Sequence, residues 1–236
     1  MLRHIKRALR PVNRFVWPVK NFIRPPCRAA HSYSQEGEDR ILARIFEQKA
    51  RGFYVDVGAH HPIFLSNTYL FYERGWRGIN LDAAPGSMAA FKLQRPDDIN
   101  LEMAIGEKPG SLMFHIFNDP ALSTFNARVA KERDGVGTWR VVEIKPIEVR
   151  TLAQVLEEYL PAGKSIDYLS VDVEGLDLPV LRSNDWNRFR PEYILAEDFS
   201  CDNIEDCLKT PMGAYLKSIG YVLYGRTAHT EFYKRC

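Results

Sequence analysis

The chain has 236 residues, 45% hydrophobic and 26% charged, which is enough for one α/β domain with a sizeable core. Eight of its 32 lysines and arginines, and none of its acidic residues, lie in residues 1–35, so the remainder carries 24 basic against 30 acidic residues. An acidic body of this kind is atypical of a nucleic-acid-binding domain, which normally presents a basic face. No apolar run approaches the ~20 residues of a membrane-spanning helix.

The basic segment 1–30 precedes a domain that we place at residues 31–236. Its apolar residues have helical spacing, but Pro11 and Pro18 would interrupt a long helix. One interpretation is an arm that contacts an anionic membrane surface or a partner, with Trp17 at the interface. The favoured alternative is a solvated extension. The apolar stretches are too short for a signal peptide, so we predict a cytoplasmic protein, peripheral to the membrane if the arm binds one.

The four cysteines show no metal-binding spacing. They are Cys27, Cys201, Cys207 and Cys236, and no two of them form a C-x-x-C pair. We therefore expect reduced thiols, as in a cytosolic protein. A disulfide between Cys201 and Cys207 is the less favoured alternative.

Helical and strand-like patterns alternate along the rest of the chain. In chain order, they predict a helix over 34–49, a strand over 53–57, a helix over 67–74, a strand over 78–82, a helix over 85–93, a strand over 99–105, strands over 111–117 and 141–150 around a loop at 118–140, a helix over 151–159, a strand over 166–173, a helix from 178, a strand over 193–196, a helical region over 203–218, and strands over 221–224 and 231–233. This order predicts an α/β fold with a doubly wound, mostly parallel, seven-stranded Rossmann-like sheet, an inserted β-hairpin and an antiparallel C-terminal strand. Ligands of such sheets bind beyond the carboxyl ends of the strands.

Two residues at the ends of the first two strands are typical of a nucleoside site. Gly58 follows the first strand, and a glycine there lets the backbone approach a ligand closely. Neither G-x-G-x-x-G nor a phosphate-binding G-x-x-x-x-G-K-[ST] loop is present, so a diphosphate is not expected. Asp82 ends the second strand, where a carboxylate can accept both hydroxyl protons of a ribose. The alternative role of Asp82 is to cap the following helix.

Carboxylates cluster after two later strands. Asp172 and Glu174 follow one strand, and Glu197 and Asp198 follow the next. Grouped carboxylates share protons, raise one another's pKa or bind a hard cation such as Mg²⁺ or Mn²⁺. The alternative is that both pairs cap helices.

Four stretches together resemble the FkbM-type methyltransferases, which are class I, Rossmann-like enzymes that use S-adenosylmethionine. The stretches are residues 34–39 (SQEGED), 54–60 (YVDVGAH), 75–82 (GWRGINLD) and 169–175 (LSVDVEG). The resemblance extends from about residue 32 to the C-terminus. It implies an S-adenosylmethionine-dependent methyltransferase.

The resemblance also implies roles for individual residues. The amino-acid part of the cofactor would contact Asp56, Gly58 and Ala59, its ribose Asp82 and its adenine Ala83. The same pocket would be covered by Gln35, and Thr68, at the start of a helix, would help to hold the methionine carboxylate.

Two hypotheses describe how the acceptor hydroxyl loses its proton. In one, Asp172, Glu197 and Asp198 hold a divalent cation that lowers the hydroxyl's pKa. In the other, which we favour, Asp172 is a metal-free general base. Among the histidines, His60 has the best position for proton transfer.

The acceptor is predicted from the resemblance to be a hydroxyl of a sugar, a glycan or a secondary metabolite. The loop 118–140, with Pro120, Phe125 and Trp139, is interpreted as part of an acceptor lid or as a packed surface loop. Two other classes compete with this prediction: an NAD-dependent oxidoreductase and a non-catalytic scaffold module. The sequence does not indicate an oligomeric state.

Overall fold

The computed structural model describes residues 30–119, 122–201 and 203–236. The helices of this part of the chain are α1 (Glu38–Ile45), α2 (Tyr69–Glu73), α3 (Met88–Gln94), α4 (Ala127–Arg133), α5 (Leu152–Tyr159), α6 (Asp177–Arg182), α7 (Ile204–Cys207) and α8 (Pro211–Ser218). Its strands are β1 (Phe53–Val57), β2 (Arg77–Asp82), β3 (Ile99–Glu102), β4 (Ala104–Ile105), β5 (Gly110–Phe117), β6 (Val141–Arg150), β7 (Tyr168–Val171), β8 (Tyr193–Glu197), β9 (Tyr221–Arg226) and β10 (Thr230–Arg235).

Seven of these strands form one sheet in the order β3-β2-β1-β7-β8-β10-β9. All neighbours from β3 to β8 are parallel, whereas β10 is antiparallel to both β8 and β9. From β1 the chain moves outward to β2 and β3, and it later returns to β7 on the other side of β1. The prediction of a doubly wound, mostly parallel sheet with an antiparallel C-terminal pair is therefore confirmed. Ligands are expected beyond the carboxyl ends of β1 and β7, where the strand order reverses.

The predicted hairpin insertion is also confirmed. β5 and β6 pair antiparallel, and β4 joins them in a separate three-stranded sheet in the order β4-β6-β5. The single strand predicted over 99–105 is wrong. At Met103, whose N–H donates to the carbonyl of Asp82 at 2.8 Å, the chain leaves the large sheet, and the next two residues pair with β6.

Helix boundaries follow the local capping chemistry. Thr151 starts α5 with a capping box in which its side chain and that of Gln154 bond to each other's backbone N–H groups. The helix predicted from Ser34 is shorter, because the chain turns at Gly37, whose φ is 89°, and Ser34 instead bonds to the carboxylate of Asp39. The helical region predicted over 203–218 is two helices, since Thr210 caps a new one.

Each face of the large sheet has its own apolar core. One face packs against α5, α6 and α8 through residues that include Val55, Ile79, Leu169, Ile194, Leu152, Leu181 and Leu216. The other packs against α1 and α2 through residues that include Tyr54, Tyr168, Leu195, Phe232, Leu42, Phe46 and Phe71. Burial on both faces explains why the central strands are almost continuously apolar.

The expectation of reduced thiols is wrong for one pair. Cys201 and Cys207 form a disulfide, with their Cα atoms 5.3 Å apart, whereas Cys236 is free. Within the described residues, no helix is long and apolar enough to cross a membrane. The predicted N-terminal arm and its Trp17 lie outside the described residues.

Candidate active site

A cavity of about 480 Å³ lies at the carboxyl ends of β1, β2, β7 and β8. Its wall is formed by Gln35, Glu38, Gly58, His60, His61, Pro62, Leu65, Asn67, Asp82, Ala83, Ala84, Pro85, Gly86, Ser87, Ala90, Phe114, Ser123, Thr124, Phe125, Val171, Asp172, Val173, Glu174, Glu197 and Thr230. The cavity is therefore where the strand order predicts a ligand site.

Strand alternation places Asp56 and Glu197 on the same side of the sheet. Successive side chains of a strand point to opposite faces. Asp56 follows Tyr54 by two residues and Glu197 follows Leu195 by two, so both lie on the face that packs against α1 and α2. The cavity thus opens on that face.

The turn after β1 requires glycine at position 58. Gly58 has a φ of 86°, and a Cβ atom there would lie 1.7 Å from the carbonyl oxygen of Asp172. Its N–H donates to Leu81 at 2.9 Å, which joins the ends of β1 and β2. Glycine at position 58 therefore lets the turn after β1 pack directly against the backbone that follows β7, beside the cavity that both turns line.

Backbone amides fix the carboxylate of Asp82. One oxygen accepts from the N–H of His60 at 2.9 Å and the other from the N–H of Ala84 at 2.7 Å. Burial raises the pKa of Asp82, and these two hydrogen bonds oppose the increase. Each oxygen keeps a further lone pair, so the carboxylate can accept two hydroxyl protons from a ligand.

Three predicted cofactor residues do not form the cavity wall. Asp56 and Thr68 are buried and bond to each other, with the Thr68 hydroxyl donating to the Asp56 carboxylate at 2.8 Å. Ala59 packs with Met88 and Phe91. These residues support the wall from behind, whereas the predicted residues Gln35, Gly58, Asp82 and Ala83 form it.

A buried arginine, which the sequence did not suggest, holds this supporting layer. The fully buried guanidinium of Arg95 donates to Thr68 at 3.0 Å, to Asp98 at 2.9 Å and to Asn80 at 2.9 Å. Arg95 follows α3 directly, and the local sequence is typical of an exposed helix end. Its long-range partners are visible only in the fold.

The carboxylates at the ends of β7 and β8 have few positive neighbours. Burial, followed by the charges of Glu197 and Glu174, raises the pKa of Asp172 well above its usual range. Burial and the nearby Asp177 raise the pKa of Glu197 to about 7. Burial and the nearby Asp172 raise the pKa of Asp177 to about 8. Glu197 and Asp177 can therefore exchange protons near neutral pH.

The predicted cation site is not supported by the structure. Glu197 and Asp198 are consecutive, so alternation turns them to opposite faces of the sheet. Asp198 does not line the cavity, and its carboxylate accepts hydrogen bonds from the N–H and hydroxyl of Ser200. Among the described residues, no group of three or more ligand atoms suitable for a metal includes Asp172, Glu197 or Asp198.

Both predicted catalytic residues border the cavity. Asp172 lies beyond β7, and His60 lies in the turn after β1. Three non-glycine residues of the wall, His60, Leu65 and Glu174, have positive φ values of 50°, 54° and 54°. Such backbone strain is common at functional sites.

The insertion supplies one wall of the cavity. Phe114 of β5 and Phe125 of the following loop both border it, with ring centroids 4.5 Å apart. In the loop 118–140, Phe125 borders the cavity, as the acceptor-lid interpretation requires. Trp139 does not line the cavity. The third residue of that interpretation, Pro120, lies outside the described residues.

A contact that the sequence did not suggest is the ion pair between Arg133 of α4 and Glu174, at 2.7 Å.

Comparison with known proteins places the sequence in a family. Residues 56–222 match the profile of the methyltransferase FkbM domain, which covers more than half of the chain. No curated protein matches the sequence.

Two solved structures are similar to this fold at low identity. One is a TehB-like SAM-dependent methyltransferase from Corynebacterium glutamicum, with a TM-score of 0.43 and 10% identity over 95% of this chain and 97% of that chain. The other is an O-methyltransferase from Bacillus cereus in complex with SAH, with a TM-score of 0.37 and 11% identity over 93% of this chain and 88% of that chain.

Proposed function

Because the chain belongs to the FkbM methyltransferase domain family, we propose that it transfers a methyl group from S-adenosylmethionine to a hydroxyl of a sugar, a glycan or a secondary metabolite. The observation that carries this proposal is the cavity wall between β1 and β2. There Gly58 lines the cavity, and two amides hold the Asp82 carboxylate in place.

The residues of this wall fit the cofactor. Asp82 would accept the two ribose hydroxyls, and Ala83 would lie beside the adenine. Gln35 would close the pocket from the segment before α1, while Gly58 would let the amino-acid part approach the backbone. We assign Asp56, Ala59 and Thr68 an indirect role, because they support this wall from behind.

The charge of the cavity favours a cationic methyl donor. Five carboxylate residues line it: Glu38, Asp82, Asp172, Glu174 and Glu197. Its basic side chains among the described residues are only His60 and His61. When bound, S-adenosylmethionine supplies a positively charged sulfonium methyl group, which those carboxylates of the wall that are ionised would stabilise.

Asp172 is assigned the role of general base. It would accept the proton of the acceptor hydroxyl as the oxygen forms its bond to the methyl carbon. The carbon–sulfur bond breaks in the same step, and its electron pair remains on sulfur, which becomes a neutral thioether. Most of the rate enhancement would come from aligning the acceptor oxygen with the methyl carbon. His60 is the second candidate for the proton.

A divalent cation is not needed for this assignment. Asp198 does not line the cavity with Asp172 and Glu197, so we assign proton removal to a side chain without a metal ion. Full activity in the presence of a strong chelator is the expected result.

The aromatic wall suggests how a glycan acceptor would bind. The rings of Phe114 and Phe125 border the cavity, and aromatic faces stack well on the apolar faces of sugar rings. We therefore assign the acceptor side of the cavity to the insertion between β4 and β6.

Calorimetric titration with S-adenosylhomocysteine tests the cofactor site. Saturable binding by the full-length protein is expected. Asp82→Asn should weaken it at least ~10-fold, because charge-assisted hydrogen bonds to the ribose are lost. Asp97→Asn is the matched control, since Asp97 is exposed and pairs only with Arg77 in the described structure. Absence of binding by folded wild-type protein would contradict the proposal and favour a scaffold module or another nucleotide.

A further inference from the structure

A second cluster of reactive side chains lies apart from the cavity. Cys201 follows β8, Cys207 ends α7 and Glu231 belongs to β10, and all three are buried. Their two sulfurs and one carboxylate oxygen lie within 4.8 Å of one another. Within the described part of the chain, no other group of three or more side chains brings metal-binding atoms this close.

Strand alternation separates this cluster from the cavity. Thr230 pairs with Glu197, and both border the cavity. Glu231 is the next residue of β10 and pairs with Ala196, so its side chain points to the opposite face of the sheet. The cluster is therefore not part of the proposed methyl-transfer site.

The disulfide leaves one oxygen of the buried Glu231 carboxylate without a hydrogen-bond donor, although the charge of its cross-strand neighbour Arg226 lies nearby. One oxygen accepts from the hydroxyl of Tyr233, and the other lies 3.1 Å from Sγ of Cys201. A disulfide sulfur has no hydrogen to donate. Similarly, Sγ of Cys207 lies 3.1 Å from the carbonyl oxygen of Asn203. A thiol that donates its hydrogen, or a metal ion, would satisfy the buried oxygen of Glu231 better than the disulfide does.

We propose that Cys201, Cys207 and Glu231 form a zinc site when the two cysteines are reduced. Zinc accepts thiolate and carboxylate ligands in tetrahedral geometry, and a water molecule would complete the set. The sulfur ligands favour zinc over magnesium or calcium. The ion would join the segment after β8 to β10, which the disulfide does not do.

Zinc binding and the disulfide exclude each other, because the metal ligand is the thiolate. A dithiol reductant transfers two electrons to the disulfide, which breaks the sulfur–sulfur bond and gives two thiols, while the reductant becomes a cyclic disulfide. Zinc then displaces the two thiol protons. Oxidation by a low-molecular-weight disulfide reverses these steps and releases the ion.

The test uses full-length protein with Cys27→Ser and Cys236→Ser, in which only the pair remains. The protein is reduced with dithiothreitol, freed of reductant without oxygen, and titrated with zinc against a chromogenic chelator. One equivalent of zinc is expected to bind to the reduced protein and none to the oxidised protein. Cobalt should give a thiolate-to-metal charge-transfer band, and zinc should slow alkylation of both thiols.

Glu231→Gln should lower the zinc affinity at least ~10-fold, since it removes a direct ligand. Glu205→Gln is the matched control, because Glu205 is an exposed carboxylate on α7, the short helix that also contains Cys207. The alkylation experiment needs no substitution within the site, so it remains informative if Glu231→Gln does not fold. The proposal is overturned if the reduced, folded protein binds no zinc, if zinc does not protect the thiols, or if the pair cannot be reduced in the folded protein.

Discussion

Two groups of buried charge differ in how their charges are balanced. Behind the β1–β2 wall, Asp56 and Asp98 surround the guanidinium of Arg95. At the ends of β7 and β8, Asp172, Asp177 and Glu197 lie close together without such a partner.

In the Arg95 group almost every polar atom has a partner. Asp98 accepts hydrogen bonds from Arg95, from the Tyr54 hydroxyl at 2.7 Å and from the N–H of Gly78 at 2.9 Å. Burial raises the pKa of Asp56 to about 6, and the nearby Arg95 limits the increase. A network with this many contacts fixes the geometry of the wall that it supports.

In the second group the nearest resolved ion pair is at its edge, between Glu174 and Arg133. One carboxylate oxygen of Asp177 is buried and has no hydrogen-bond partner. Like charges that are both buried cannot all ionise, so some of these carboxyls retain protons near neutral pH. The comparison teaches that the first group serves architecture, whereas the second is suited to proton transfer.

The largest expected effect comes from removing the guanidinium. Arg95→Met leaves the buried carboxylate of Asp98 without its cation, so it should lower the free energy of unfolding by ~3–5 kcal/mol. Urea denaturation measures this loss. Arg77→Met is the control, because the Arg77–Asp97 pair is exposed and should contribute less than ~1 kcal/mol.

A double variant sharpens the same prediction. Adding Asp98→Asn to Arg95→Met removes the uncompensated charge, so it should recover part of the lost stability. A loss below ~1 kcal/mol in Arg95→Met would show that the charge balance of this group does not matter.

Within the second group, Asp172 should affect rate rather than stability. If Asp172 is the base, Asp172→Asn should lower kcat by ~10²–10⁴-fold. Its free energy of unfolding should not decrease, because the substitution removes one of several mutually repelling carboxylates. Steady-state kinetics and urea denaturation on the same preparation separate the two effects. Glu205→Gln serves as the exposed control, and retention of full activity in Asp172→Asn would refute the assignment.

The pH dependence of kcat/KM should report the coupled carboxyls. A general base acts in its ionised form, and the pKa of Asp172 is raised by burial and by Glu197, whose own pKa is about 7. The rate should therefore increase with pH, up to ~10-fold per unit, until these groups are ionised. Glu197→Gln removes one neighbouring charge, so it should move the inflexion to lower pH. A profile that is flat from about pH 5.5 to about pH 8 would contradict this prediction.

The sequence was sufficient for elements whose signals are local. The strand 53–57 and the capped helix from Thr151 were predicted at their observed positions. The alternation of helices and strands also indicated a parallel sheet. The central strands of this sheet are buried on both faces, so their sequences are continuously apolar. The strand 99–105 was predicted wrongly because its switch between sheets at Met103 depends on a hydrogen bond to Asp82, which no local pattern encodes.

The site was predictable only along individual strands. Asp82 and Asp172 lie at strand ends, so their positions could be predicted from the sequence. The structure does not support the cation hypothesis, because Glu197 and Asp198 were grouped by adjacency, although adjacent residues of a strand face apart. Arg95 was not identified, because its partners are brought near only by the fold, and the Cys201–Cys207 disulfide was only the less favoured alternative to reduced thiols.

The smallest expected effect is a pH-dependent gain in stability from Asp177→Asn. Burial and Asp172 raise the pKa of Asp177 in the folded protein to about 8, from an ordinary value of 3.8. Between these values the unfolded chain has released the proton that the folded chain keeps, so this group's contribution to stability decreases as pH rises. An asparagine remains neutral, and its N–H can face the neighbouring carboxylates. The variant should gain at least ~1 kcal/mol more over wild type at about pH 8 than at about pH 5, measured by urea denaturation, whereas the exposed control Asp97→Asn should show no such trend. An equal gain at both pH values would mean that Asp177 is not under charge repulsion, and the contrast between the two groups would then rest on Asp172 and Glu197 alone.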